Sequence, residues 1–206
     1  MRAWHFCRID PSGRPVLRDG SLALGPGEVE TYDGPLVLYR SGLQASVRAL
    51  DALSDAPGAW VRQVECAAEA VIGDVNLVCR RRAIIAHADA TEVLREWARW
   101  CAFQVAHLWA CPAITREWLE TGNPALREAA LEAAARKSRS AWAAAAVDAA
   151  AWAAAADEVA WVTRAARVAA ARSARSAVEA AEARAVAETQ NVRLEAALCT
   201  LLEVIP

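Results

Sequence analysis

The sequence predicts an α+β protein: a small N-terminal mixed sheet with one or two covering helices, followed by an Ala-rich helical bundle or long helical hairpin. Two observations carry this. Up to about residue 90, Gly and Pro recur every few positions between short apolar runs, the pattern of short strands joined by turns. From Ala125 to Ile205 there is neither glycine nor proline, and the strong helix formers Ala, Arg and Glu dominate. The expected domains are therefore 1–112, α+β, and 113–206, Ala/Trp-rich and all-helical.

The N-terminal elements follow in order. Ala3–Arg8 (AWHFCR) reads as a strand, and Pro15–Leu17 as a shorter one before the Asp19-Gly20 turn. Glu28–Tyr32 and Pro35–Tyr39 flank Asp33-Gly34 as a hairpin. After Gly42 the period changes: Val47, Leu50, Ala52 and Leu53 share a helical face, with Ser46 as N-cap and Asp55-Ala-Pro-Gly58 as the stop. Trp60–Cys66 and Leu77–Ile85 are two further strands around a Gly73-Asp74 turn. Asp89 or Thr91 caps the next helix, whose apolar side (Val93, Leu94, Trp97, Cys101, Val105, Leu108) is expected to cover the sheet; Pro112 ends it.

A short helix over Ala113–Glu120 precedes Asn123-Pro124, a cap and first-turn pair. One straight helix over the remaining residues would run about 120 Å, too long for a compact domain, so the tail is expected to fold back. Soft breaks lie at Lys137–Ser140, Asp157-Glu158, Arg172–Ser176 and Thr189–Asn191. The last is favoured, because Leu194, Leu198, Leu201 and Ile205 then form a fresh apolar stripe.

Within the tail, 141–150 (AWAAAAVDAA) and 151–160 (AWAAAADEVA) are a near-repeat, and a third Ala-Trp opens at Ala160. At about 100° per residue Trp142, Trp152 and Trp161 wind around the helix, and do not line one edge. Small residues at 166, 170, 173, 177 and 180 fall on one seam suited to close helix packing. The tryptophans then serve structural packing in a bundle, or an oligomer or partner interface; a homo-oligomer is expected.

Charge excludes one function class. Residues 1–112 carry 12 Arg against 13 acids, and 113–206 carry 11 Lys and Arg against 12 acids, so there is no basic field for nucleic acid. The N-terminus has no signal-peptide core and no long uncharged apolar run exists, so a cytoplasmic location is expected and a membrane is not. Cys7, Cys66, Cys79, Cys101, Cys111 and Cys199 form no C-x-x-C pair, and His5, His87 and His107 have no ligand spacing between them. They read as free thiols without a metal site.

The most distinctive element is Tyr39-Arg-Ser-Gly-Leu-Gln-Ala-Ser46. A strand running into a glycine turn and a helix N-terminus presents free N–H groups to an anion, with Arg40, Gln44 and Ser46 as ligand-binding candidates. The alternative is an ordinary junction capped by Ser46. In Arg80-Arg81-Arg82, strand alternation sends Arg80 and Arg82 to one face and Arg81 to the other; that face either binds phosphate or is merely solvated. His5 and the Gln63/Glu65 pair are ordinary sheet residues by pattern. No phosphate loop, nucleophile elbow or zinc-protease motif occurs, so neither catalytic residues nor a cofactor are assigned.

SGLQASVRALDALSDAPG, the Val64-Glu65 strand, IGDVNLVCRRR and ADATEVLREWARWCAFQ together resemble a phage and prophage protein family. Its members carry a Gly-Leu-His-Ala-Ser module, a Gly-Asp turn before a basic strand, and Ala/Trp-rich near-repeats at the end. The likeness covers roughly 35–110 in order and the tail in style, with Gln44 standing where the module usually has histidine. It implies a phage-borne accessory protein without an agreed activity. Gly-Leu-x-Ala-Ser before a helix is also similar to the middle of ADP-ribosyltransferase folds, which would press His5 and Glu65 into an NAD site. The expected function is non-enzymatic binding of a nucleotide-like signal or a host defence protein; the alternatives are a transferase acting on NAD and a structural helical oligomer.

Overall fold

The computed structural model describes residues 1–67, 69–104, 106–108, 111–137 and 180–203. Trp142, Trp152, Trp161, most of the small-residue seam, the soft breaks at Asp157-Glu158 and Arg172–Ser176, and the Lys137–Ser140 break past Lys137 lie outside these residues. The protein is α+β. Its chain divides into two compact units, Met1–Thr91 with Leu194–Pro206, and Glu92–Arg193.

In the first unit, β1 (Arg2–Ile9), β2 (Pro15–Val16), β3 (Val29–Thr31), β5 (Trp60–Cys66) and β8 (Arg81–Asp89) form a five-stranded sheet in the order β2-β1-β5-β8-β3. A second sheet runs β4-β7-β6, from Leu43–Ala45, Leu77–Cys79 and Val71–Ile72. All ladders are antiparallel. The sheets are joined where Trp4 and Ser46 exchange backbone hydrogen bonds of 2.7 and 3.0 Å. Ala3, Val64 and Ile84 of the larger sheet then meet Ala45 and Leu77 of the smaller in one apolar core. Cys66 and Cys79 join that core as a hydrogen-bonded thiol pair, which draws Cys79 down to about 7 and pushes Cys66 up.

Trp60–Cys66 has the expected bounds, and its alternation explains why. Trp60, Arg62, Val64 and Cys66 take one face, Val61, Gln63 and Glu65 the other. The expected strand over Leu77–Ile85 is instead two strands that part at Arg80, each serving a different sheet. The expected hairpin at Asp33-Gly34 is absent as well. Strand β3 pairs with β8, opposing Glu30 to Arg82, while 35–41 curls on itself: Val37 and Ser41 exchange backbone bonds and the Ser41 hydroxyl donates to the Pro35 carbonyl at 2.5 Å.

Helix α1 (Ala49–Ser54) starts later than the Ser46 cap predicts, with Arg48 at the N-cap position and no side-chain cap from it. Ser46 is held back by its backbone exchange with Trp4, and its hydroxyl donates to Asn76 Oδ1 at 2.5 Å. The Asp89 carboxylate accepts from the Thr91 N–H at 2.9 Å, the one of the two expected caps in use.

Helix α2 (Thr91–Gln104) buries Leu94, Trp97, Ala98, Cys101 and Ala102. In the second unit α3 (Ala113–Thr121) and α4 (Arg127–Lys137) close around Ala102, Trp118, Leu119, Ala130 and Ala134, and the buried Thr115 hydroxyl donates to the Ala130 carbonyl at 2.8 Å. Asn123 accepts from the Ala125 N–H at 3.0 Å ahead of Pro124, as its cap pattern requires. Helix α5 (Ala180–Glu203) runs unbroken through Thr189–Asn191. Gln190 and Asn191 are buried there, and the Trp97 indole donates to the Gln190 carbonyl at 3.0 Å. A polar pair that reads as a break is kept helical by burial. Leu194, Leu198 and Leu202 are buried at helical spacing, with Leu201 only partly covered. No described helix is long and apolar enough to cross a membrane.

Candidate functional site

The site grows from the inner face of the larger sheet. His5 on β1 stands opposite Arg62 on β5, Arg62 opposite His87 on β8, and Arg82 on β8 opposite Glu30 on β3. A register shift at Gln63/Val64 skips Ile85, so Arg82 and Ile84 share a face with His87 despite their odd separation. The result is a cluster of charged and imidazole side chains on one face of the sheet.

Glu30 receives both guanidiniums. Arg62 Nη2 donates to Oε1 at 2.6 Å; Arg82 Nε and Nη2 donate to Oε2 at 2.8 and 2.5 Å. Arg82 Nη1 donates to the Gln44 carbonyl, and Arg62 reaches Cys7 Sγ at 3.7 Å and the Leu24 carbonyl at 3.4 Å. Arg62 Nε is buried without a hydrogen-bond partner. Arg62, Arg82 and Glu30 are 0, 2 and 7 % exposed, so two positive charges share one negative charge out of reach of solvent. Burial would push Glu30 up, but Arg82 and Arg62 outweigh it and hold the carboxyl below its ordinary value. His5, whose Nδ1 lies 3.6 Å from Cys7 Sγ, is driven well below its ordinary value by burial first and then by Arg82, Arg62 and Arg18. It is a neutral ring in a positive environment.

Above this cluster opens a cleft of about 580 Å³. Arg18, Arg40 and Arg82 are its cations, Asp19 and Asp55 its acids, and Trp4, Tyr32 and Tyr39 its aromatic walls. His5, Gln44, Ser46 and Asn76 supply the neutral polar surface. Arg18 is anchored by donating to the Asp55 carbonyl at 3.0 Å, and Asn76 Nδ2 donates to the Asp55 carboxylate at 3.2 Å. With Glu30 and Arg62 beneath it, the site holds four guanidiniums against three carboxylates, an excess that favours an anion.

Of the residues expected from sequence, Arg40, Gln44, Ser46 and Arg82 all border this cleft. Gln44, Ser46 and Arg82 are also engaged by the protein's own groups. The N-terminus of α1 is already occupied, because the Ala49 N–H donates to the Glu195 carboxylate at 3.0 Å. Gln44 braces a turn: its Oε1 accepts from the Tyr39 N–H at 3.3 Å and its Nε2 donates to the Val37 carbonyl at 3.4 Å. Arg80 does not share a basic face with Arg82. It donates to the Gly34 carbonyl at 2.8 Å and borders a separate depression of about 410 Å³ with Arg81, Tyr32 and Glu69. Glu65 is exposed on the face of β5 opposite Arg62, so His5 and Glu65 are not brought into one NAD site.

Sequence reading passed over Glu30, Arg62, Arg18 and Asn76. A signal existed for Arg62: it is the one charged residue on the otherwise apolar face of WVRQVEC, which marks a buried charge needing a partner. Glu30, Arg18 and Asn76 lie in short strands and turns with no such pattern. No protein-family model, curated protein or solved structure matches the chain.

Proposed function

We propose that this chain is a phage-borne, non-enzymatic binding protein that takes an anionic, nucleotide-like small molecule into the Arg18/Arg40/Arg82 cleft, within the host bacterial cytoplasm. One observation supports this above the rest: a cleft of nucleotide size carries an excess of guanidinium charge over carboxylate, from the exposed Arg18 and Arg40 down to the buried Arg62–Glu30–Arg82 cluster. Exposed arginines lining one cleft suit phosphate, which guanidinium recognises through paired hydrogen bonds. The neutral His5 adds a hydrogen-bonding group without adding charge. In this reading the bound signal is withdrawn from host defence by sequestration, and no bond of the ligand is broken.

Isothermal titration calorimetry of the full chain against nucleoside monophosphates, cyclic dinucleotides and ADP-ribose tests the proposal. Saturable heat is expected with at least one of them, weakened about ten-fold or more in Arg18→Ala and Arg40→Ala, since each removes a charge-assisted contact. Absence of heat with every anion, together with intact ligands and empty pull-downs from host lysate, would end it.

A further inference from the structure

Among the described residues, Tyr39 is the one non-glycine residue with a positive φ, 62°. A ring residue is an unusual occupant of that conformation, which glycine and asparagine adopt at less cost. Nothing in the turn calls for the ring. Its bonds run between the backbones of Val37, Arg40 and Ser41 and involve the side chains of Ser41 and Gln44, and Tyr39 as a residue is 62 % exposed. What the strained turn achieves is placement: an aromatic residue borders the cleft beside its sequence neighbour Arg40, and Arg18 lines the same cleft. Strain of this kind persists where a site over-determines it.

We propose that the ligand is a nucleoside phosphate whose base stacks on Tyr39 while its phosphate is taken by Arg40 and Arg18. This rests on the anion-binding reading above and narrows it to an aromatic, base-bearing anion. Gln44 is a positioning residue, holding Tyr39 in place through the backbone N–H. Stacking on a ring tolerates any base, so the site discriminates nucleotides from bare phosphates more than one base from another.

The test is calorimetry on the full chain with AMP, GMP and UMP, and with ribose 5-phosphate and pyrophosphate as base-free anions. The three nucleotides are expected to bind about ten-fold tighter than ribose 5-phosphate. Tyr39→Phe keeps that preference. Tyr39→Gly and Gln44→Ala lose it, weakening the nucleotides several-fold more than ribose 5-phosphate, a base-dependence that a merely structural role does not produce. Tyr39→Gly also relieves the backbone, so its thermal midpoint is expected to equal or exceed that of the natural chain, which keeps its loss of binding from being read as unfolding. Equal affinities for AMP and ribose 5-phosphate, or a Tyr39→Gly variant that binds AMP normally, overturn the stacking while leaving the anion site standing. If pyrophosphate and ribose 5-phosphate fail to bind along with the nucleotides, both readings fall together.

Discussion

Glu195, in the C-terminal helix, accepts the backbone N–H of Ala49 at 3.0 Å across a sequence separation of 146 residues. Helix α1 has no capping side chain at Arg48, so this carboxylate supplies the negative charge its N-terminus needs. It also fills the position where an external anion was expected. Glu195→Ala is expected to destabilise the chain by about 1–2 kcal/mol, the usual loss for a capping carboxylate. Urea unfolding checks it; an unchanged midpoint would mean the bond does not form in solution.

The Arg62–Glu30–Arg82 cluster makes an asymmetric prediction. Glu30→Gln leaves two buried guanidiniums facing a neutral amide and is expected to cost about 3–5 kcal/mol. Arg62→Met keeps the Arg82 pair, removes the excess positive charge and the orphan Nε, and should cost less than about 2 kcal/mol. Chemical denaturation of both variants decides; equal losses would contradict the assignment of Arg62 as the surplus charge.

Two pH effects follow. Glu30 is held below its ordinary value in the folded state, so its contribution is full above the unfolded value near 4.5 and is lost as pH falls through the folded value. His5 and His87 are both lowered, by burial first, so the unfolded chain binds their protons more readily. Their contribution is full above about pH 6.5 and declines as pH falls below it. Stability measured by urea at pH 7.5 and pH 5 should therefore drop, and the drop should shrink in the His5→Gln, His87→Gln double variant. An identical drop in that variant would assign it to other groups.

Gly42 lies on the cleft wall at φ 103°, and an added Cβ would stand 2.4 Å from Val78 Cγ2 and 2.9 Å from Leu36 Cδ2. Gly42→Ala meets strain in the backbone and a clash in the core, and is expected to cost about 2–4 kcal/mol. Differential scanning calorimetry reads the loss, and a midpoint within a degree of the natural chain would show that the turn relaxes freely.

The strands over 2–9 and 60–66, the helix over 113–121 and the Asn123 cap were legible because each depends on its own residues: alternation, periodicity, or a side chain that bonds two positions ahead. The same locality makes Arg40, Gln44, Ser46 and Arg82 visible as candidates, since turn and basic-strand signals are short-range. What Ser46 and Arg82 do was decided by partners far along the chain. Glu30 lies on β3, which pairs with β8 and not with a local hairpin partner, and its carboxylate sits between two guanidiniums from distant strands. Arg80 marks the parting of two sheets, Ser46 is taken by Trp4 and Asn76, and burial keeps Gln190 and Asn191 helical. The sequence by itself determined the class of fold and where polar groups interrupt apolar faces. Only tertiary structure decided which of them neutralise one another and which remain facing the cleft, because charge pairing and desolvation depend on distance in space and not along the chain.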